Sequence, residues 1–298
     1  MGETRTAFIA IVGCPNVGKS SILNRLLGEK VAIVSPKPQT TRTRILGVLT
    51  EGEIQLVFTD TPGYHKPKNK LGEKMVRAVG AGLHDVDACL LVTEPSGEIR
   101  DAERTLLKKI KKEEIPAILA INKIDTVEHK EGLLTRIAQF SSLHDFAAVV
   151  PVSAKTGSGM NELLDELKKL SLPSMHFFAD DTLTDQPEKV LAAEYIREKL
   201  LRYLDKEIPH GTAVEVTRFS ERDDGVVEID VTIYCEKDSH KGIVIGKKGA
   251  MLKKIGELAR TDMEAFLGTK VFLQTWVKVK ENWRDSMAQL RNFGYNNE

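Results

Sequence analysis

The residues with the most chemistry in them fall into five short segments. Gly13-Cys14-Pro15-Asn16-Val17-Gly18-Lys19-Ser20 fits the pattern G-x-x-x-x-G-K-[ST]. In that pattern glycines let the backbone wrap an anion, a lysine reaches the β and γ phosphates, and a hydroxyl holds a divalent cation. Thr40-Thr41, Asp60-Thr61-Pro62-Gly63, Asn122-Lys123-Ile124-Asp125 and Ser153-Ala154-Lys155 follow in order. A phosphate loop by itself arises by chance, and so does each of the others. Five in this order describe a site for a nucleoside triphosphate that reads guanine.

Each residue type has an expected task. Gly13, Val17 and Gly18 shape the loop, Lys19 lies on the phosphates, and Ser20, with Ser21 beside it, faces Mg2+. Asp60 holds that ion through water. Gly63 brings a bare backbone N–H to the γ phosphate, so the segment behind it senses whether that phosphate is present. Thr41 is the expected switch hydroxyl on magnesium, with Thr40 a close second. The Asp125 carboxylate accepts from guanine N1–H and the exocyclic amine, a pair of donors adenine lacks, and an unpaired donor left by the wrong base is costly. Asn122 is expected to share in reading the base, Lys123 to pack along the ring, and the Ala154 N–H, between Ser153 and Lys155, to donate to guanine O6.

Tyr64 stands directly after Gly63, where signalling GTPases carry a water-orienting glutamine, so intrinsic hydrolysis should be slow. Asn16 is expected to help bind K+ beside the phosphates, the alternative being that it only stabilises the loop turn. Catalysis is thereby assigned to Lys19, Thr41, Gly63 and Asn16. Cys14 reads as small filler.

These segments need strands to end at them. Apolar runs of strand length at Ala7 to Val12, Ile45 to Leu49, Ile54 to Thr59, Ala88 to Thr93, Ala117 to Ile121 and Ala147 to Val152 alternate with helix-period stretches. The alternation predicts an α/β domain, a mostly parallel sheet with helices on both faces. Every motif falls where a strand gives way to a loop, as open α/β sheets place their ligands. Periodicity fails after a helix Met160 to Leu170, which sets the expected domains at 1–172, a linker at 173–187, and 188–298. The second domain reads α-β-β-α-α-β: a helix Glu188 to Leu204, strands Ala213 to Phe219 and Val226 to Cys235, a helix from Ala250 to Leu267 and a strand Lys270 to Lys280. Asn292 to Glu298 look frayed.

Within it, Ile243-Val244-Ile245-Gly246-Lys247-Lys248-Gly249 carries a G-x-x-G loop directly before a helix bearing Lys253. In KH modules such a loop clamps the backbone of about four unpaired nucleotides. Ile243, Val244, Ile245, Met251 and Ile255 are the expected groove lining. Ten basic residues against four acidic ones between Lys237 and Lys280 make this a positive patch in a chain of zero net charge, with 43 basic and 43 acidic residues. No global field therefore draws the chain to nucleic acid or membrane.

A chain of 298 residues has room for two cores. Three widely spaced cysteines, Cys14, Cys89 and Cys235, argue for a reducing compartment, and no apolar run has the length of a membrane span. The phosphate loop begins too early to leave room for a signal peptide. Met1-Gly2-Glu3-Thr4-Arg5-Thr6 fits a loose myristoylation pattern that the immediate onset of the first strand argues against.

With Gln39-Thr40-Thr41-Arg42 beside the phosphate loop and Val244-Ile245-Gly246-Lys247-Lys248-Gly249 in the second domain, the chain resembles the bacterial Era GTPase family along essentially its whole length. The resemblance implies a GTPase domain joined to a type II KH domain, with GTP/GDP and Mg2+ as ligands. It also implies binding near the 3′ end of 16S ribosomal RNA and a role in maturing the small ribosomal subunit. The absent glutamine is characteristic of that group. The expected protein is a cytoplasmic monomer. Two other classes compete: an RNA-binding module with GTP as a structural ligand, and a GTPase in peripheral contact with the inner membrane face, which requires the basic helix after Gly249 to bind anionic lipid.

Overall fold

Strand β1 (Arg5–Gly13) is buried along nearly its whole length, as the apolar run within it requires. In this computed structural model, which describes residues 3–64, 67, 69–128 and 130–295, it is the centre of a sheet. Met1 and Gly2 of the myristoylation pattern, and 296–298 of the expected frayed end, lie outside the described residues. The chain divides into two compact units.

The first unit takes 3–32, 41–64, 67, 74–128 and 130–185 of the described residues. After β1 come α1 (Lys19–Leu27), β2 (Ile45–Glu51), β3 (Ile54–Asp60), α2 (Lys70–Ala81), β4 (Ala88–Thr93), α3 (Asp101–Glu113), β5 (Ala117–Ile121), α4 (Lys130–Ser141), β6 (Ala148–Pro151), α5 (Met160–Lys169) and a two-residue strand β7 (Leu172–Pro173). Strand order is β2-β3-β1-β4-β5-β6, parallel except for β2, which runs antiparallel to β3. Alternate residues of one strand point to opposite faces. Ile9, Ile11, Leu90 and Ile118 meet Ile22, Leu23, Leu163 and Leu167 of α1 and α5 on one face. Ala10, Val12, Leu91 and Leu119 meet Val79, Leu106, Ile110 and Phe140 of α2, α3 and α4 on the other. Each such side chain fully removed from water contributes about 1.5–3 kcal/mol, and this two-sided cover makes the strands continuous apolar runs.

The expected linker is different in the structure. Residues 171–185 are laid on this sheet and belong to the first unit. β7 pairs antiparallel with the start of β1, the buried Gln55 side chain accepts from Phe177 N and Phe178 N at 2.8 and 3.0 Å, and Val48 N donates to Leu183 O at 2.9 Å. A tract without periodicity can still be ordered when distant side chains supply its hydrogen bonds. The boundary therefore falls after Asp185.

The second unit gathers 33–40, 69–73 and 186–295. Its elements are α6 (Glu188–Tyr203), β8 (Ala213–Glu221), β9 (Val227–Cys235), α7 (Asp238–Ile245), α8 (Ala250–Leu267), β10 (Val271–Val279) and α9 (Met287–Asn292). The sheet order is β10-β9-β8, with β10 parallel and β8 antiparallel to β9. Val227, Ile229, Val231, Ile233 and Cys235 of β9 are buried at period two and pack with Leu191, Ile196, Leu200, Val244, Ile255 and Ala259. The expected α-β-β-α-α-β order is present.

The chain end is ordered rather than frayed up to Tyr295. Trp283 is fully buried, donates to Gly211 O at 2.9 Å and stacks on Tyr295 with ring centroids 6.0 Å apart.

Candidate nucleotide site and nucleic-acid loop

Gly18 starts α1 at φ 101 with no side chain capping the helix. The first N–H groups of α1 therefore point into the loop, where an anion would satisfy them and the positive end of the helix dipole favours it. Lys19, 6% exposed, donates to the carbonyls of Gly13 and Cys14 at 3.2 and 3.1 Å. Burial pushes its pKa down, against the attraction of Asp60.

Ser20 Oγ lies 2.6 Å from Asp60 Oδ2 and 3.0 Å from Thr41 Oγ1, and Thr41 Oγ1 lies 3.4 Å from the same carboxylate oxygen. Asp60 Oδ1 is buried with no hydrogen-bond partner among the described residues. Burial raises the Asp60 pKa, with Lys19 and the two hydroxyls pulling it back. A carboxylate with one buried orphan oxygen, beside two hydroxyls, is a hard, all-oxygen donor set that fits Mg2+. Of the two threonines, Thr41 has its hydroxyl at Asp60, whereas Thr40 Oγ1 donates to Lys37 O at 2.7 Å. Ser21 follows Ser20 in the first turn of α1.

Gly63 passes close to the phosphate loop, where an added Cβ would sit 2.7 Å from Pro15 Cα. Tyr64 N donates to Gly13 O at 3.2 Å, and its ring turns toward Lys109, whose Nζ lies 5.1 Å from the ring centroid. Asn16 takes a positive φ of 65, and Val17 is fully buried.

Asn122 also braces the loops around it. Its Nδ2 donates to Val17 O at 2.9 Å and its Oδ1 accepts from Ala154 N at 3.0 Å, so both ends of the amide tie loops of the protein together. The same bond engages the Ala154 N–H that was expected on guanine O6. Asp125 Oδ1 accepts from Ser153 Oγ at 2.6 Å, and its Oδ2 lies 3.9 Å from Lys155 Nζ. Lys123 sits at φ 67 and reaches Glu94 Oε1 at 2.6 Å.

Sequence reasoning missed Glu94, and also Arg136 and Glu103 behind it. Arg136 lies in α4, 1% exposed, and pairs with the fully buried Glu103 at 2.8 Å. The only signal in the sequence was charge at positions of otherwise apolar helix faces.

In the second unit the G-x-x-G loop joins α7 to α8, with Gly246 at φ 74, Lys248 at φ 52 and Gly249 at φ 80. Lys247, Lys248 and Lys253 are exposed, and α8 starts at Gly249 without a side-chain cap. Ile243 is 49% exposed and Ile245 and Met251 are half-buried beside it, but Val244 and Ile255 are wholly buried in the core. Ile255 leaves the expected groove lining because it lies on the core face of α8, and Val244 because α7 is helical. Consecutive residues of a helix point about 100° apart, so the run 243–245 cannot present one face.

Sheet order, phosphate loop, base loop and the appended α-β-β-α-α-β module define a class: a P-loop GTPase carrying a C-terminal KH domain. The family model of a 50S ribosome-binding GTPase matches residues 8–123 and that of the KH domain matches 207–284. GTPase Era of Ruminiclostridium cellulolyticum is 49% identical across 98% of this chain and 97% of its own, and that of Caldanaerobacter subterraneus 49% across 98% of both. Two solved Era structures superpose with TM-scores of 0.94 at 37% identity, over 99% of this chain and all of theirs. One holds MgGDPNP and nucleotides 1506–1542 of 16S ribosomal RNA, and the other, a tyrosine-to-alanine variant from Aquifex aeolicus, holds GDP with aluminium fluoride. The chain belongs to the Era family of GTPases.

Proposed function

We propose that this chain is a GTP-hydrolysing switch that binds the 3′ region of 16S ribosomal RNA and assists maturation of the small ribosomal subunit. The observation that carries the nucleotide half is the buried Asp60 carboxylate beside Lys19, whose Oδ2 takes the hydroxyls of Ser20 and Thr41 while its Oδ1 has no hydrogen-bond partner among the described residues. Lys19 exchanges the carbonyls of Gly13 and Cys14 for the β and γ phosphates of GTP. Ser20 and Thr41 would ligate Mg2+, with Asp60 behind them; when bound, the ion would neutralise charge on the phosphate oxygens. The Gly63 N–H steadies the γ phosphate. Water adds to the γ phosphorus as the bond to the β–γ bridging oxygen breaks, giving GDP, phosphate and a proton.

Tyr64 has no amide to orient that water, so unassisted turnover should be slow, about 10⁻⁴ to 10⁻² per second. A potassium ion at Asn16 would add the missing positive charge, and equal rates in potassium and sodium salts would remove that part of the reading. The RNA half rests on Gly246-Lys247-Lys248-Gly249, with Lys253 and the exposed Ile243, and on the RNA held by the Era relative of known structure.

We place the protein in the cytoplasm as a monomer; its three cysteines are free and buried, and among the described residues no helix is long and apolar enough to cross a membrane. A peripheral membrane contact has less behind it, since Lys253 of α8 faces Glu257 at 3.9 Å and Lys254 lies over the Tyr203 ring. The test of base recognition is Asp125→Asn, measured by competition binding. Preference should move from GTP toward xanthosine triphosphate, because an acceptor becomes a mixed donor and acceptor; unchanged GTP affinity would remove the assignment.

A further inference from the structure

The loop that follows β4 is knit together from behind. Glu103 is fully buried and accepts from Thr93 Oγ1 at 2.6 Å, Arg136 Nη2 at 2.8 Å and Arg100 N at 2.8 Å. Arg136, also buried, donates onward to Glu94 O at 3.2 Å and Gly97 O at 3.0 Å. Two charges removed from water are tolerable when they are paired and hydrogen-bonded, as these are. Their product is a fixed backbone at Glu94.

On that backbone stands a second, more exposed layer. The Glu94 carboxylate forks, one oxygen taking Lys123 Nζ at 2.6 Å and the other Arg100 Nη2 at 2.5 Å. Burial would raise the pKa of Glu94, but the hydrogen bonds from Lys123 and Arg100 outweigh it and hold the group below the ordinary carboxylate range. It is therefore ionised at neutral pH. Glu94 and Lys123 are 27% and 37% exposed, where an ion pair contributes little to the fold. What such a pair does is restrict Lys123, a side chain with much rotamer entropy when free.

We propose that Glu94 is a positioning residue of the base site. It anchors the Lys123 ammonium so that the lysine's aliphatic stem is set along the guanine plane before the nucleotide arrives, with Arg136 and Glu103 holding Glu94 from below. The inference rests on the reading of Asn122-Lys123-Ile124-Asp125 as the base loop. A stem already in place loses less freedom on binding, so the gain appears in how long the nucleotide stays.

A double-mutant cycle on release of a fluorescent GDP, from the full chain with Mg2+, tests this. Glu94→Ala should speed release about three- to tenfold, the effect of one partly exposed charge-assisted hydrogen bond. Lys123→Ala should do likewise, and the double variant should release no faster than the faster single. Glu94→Gln, which keeps an acceptor without the charge, should fall between wild type and Glu94→Ala. The nucleotide-free melting temperature should not move in Glu94→Ala. Wild-type release from Glu94→Ala, multiplying effects in the double variant, or a melting temperature that falls with the release rate would each overturn the proposal. Asp125→Asn measured alongside separates the levels. If it does not turn preference toward xanthosine nucleotides, the base-loop reading fails and this inference with it; if it does while the cycle shows no coupling, the positioning role alone fails.

Discussion

The chain contains two glycine-hinged loops, one before α1 and one before α8, and the ground beneath them is built differently. Both helices start at a glycine in the left-handed region with no side-chain cap, Gly18 at φ 101 and Gly249 at φ 80, which leaves their first N–H groups open to an anion. A Cβ on Gly18 would lie 2.1 Å from Asn122 Nδ2, and one on Gly13 2.4 Å from Val92 O. At Gly249 an added Cβ meets nothing within 4 Å. The phosphate loop is held by the interior of its own unit before any ligand arrives. Gly249 is required only by its backbone angle and by whatever approaches from outside.

The support behind the first loop region is where the largest effect is expected. Arg136→Met strands Glu103 as a buried charge, and breaking such a pair from one side costs about 3–5 kcal/mol. Urea or thermal unfolding of that variant measures it. A loss below about 1 kcal/mol, the value of an exposed pair, would mean that the base-side loops are not built on buried charge.

The glycines sharpen the comparison directly. Gly18→Ala combines a steric clash with a backbone angle that costs an L-residue about 1–3 kcal/mol, so GTP should bind at least tenfold more weakly. Gly249→Ala pays only for the angle, about 1–2 kcal/mol, and should lower single-stranded RNA binding less than Gly246→Ala, whose Cβ would also sit 2.6 Å from that of Met251. Gly246→Asp with Gly249→Asp adds negative charge where phosphate must approach, so RNA binding should fall steeply while GTP binding persists. Normal RNA affinity in that double variant would put the nucleic-acid surface elsewhere. Equal losses from Gly246→Ala and Gly249→Ala would erase the contrast drawn between packed and open glycines.

What the sequence made legible follows the same division. Ala250–Leu267 was readable to the residue because glycines flank it and apolar periodicity fills it. The phosphate and base motifs were readable because each residue type answers a chemical group of the ligand. Features that depend on distant partners were not. Gln55 looks like one polar residue in a strand, yet it orders Phe177 and Phe178 more than a hundred residues away. Val244 and Ile255 were taken for groove because composition does not tell which side of a helix faces the core. Nothing in the linear motif Asn122-Lys123-Ile124-Asp125 reveals that Val17 and Ala154 bond both ends of the Asn122 amide. Thr40 and Thr41 could not be separated by type, and only the fold distinguishes a hydroxyl turned to Lys37 from one turned to Asp60.

The smallest expected effect concerns the tract 171–185, whose order comes from partners rather than periodicity. His176 Nδ1 lies 3.0 Å from Asp180 Oδ1 and its Nε2 3.2 Å from Glu53 O. Both neighbours are acceptors, so the imidazolium, with two donors, suits them better than either neutral tautomer. The bond to Asp180, then that to Glu53, raises the His176 pKa above its ordinary 6.5. Because the folded value is the higher one, the stabilisation is fully present below 6.5, the value in the unfolded chain, and is lost as pH rises through the folded pKa. Asp180 is largely exposed, so solvent screening keeps the contribution to a few tenths of a kcal/mol. An NMR titration of the imidazole should give a midpoint above 6.5 that returns toward 6.5 in Asp180→Asn. His176→Gln should flatten the small fall in melting temperature between slightly acidic and slightly basic buffer. A midpoint at or below 6.5 would show that the ring is not clamped between its two acceptors, and the tract would then rest on Gln55 and the β7 pairing alone.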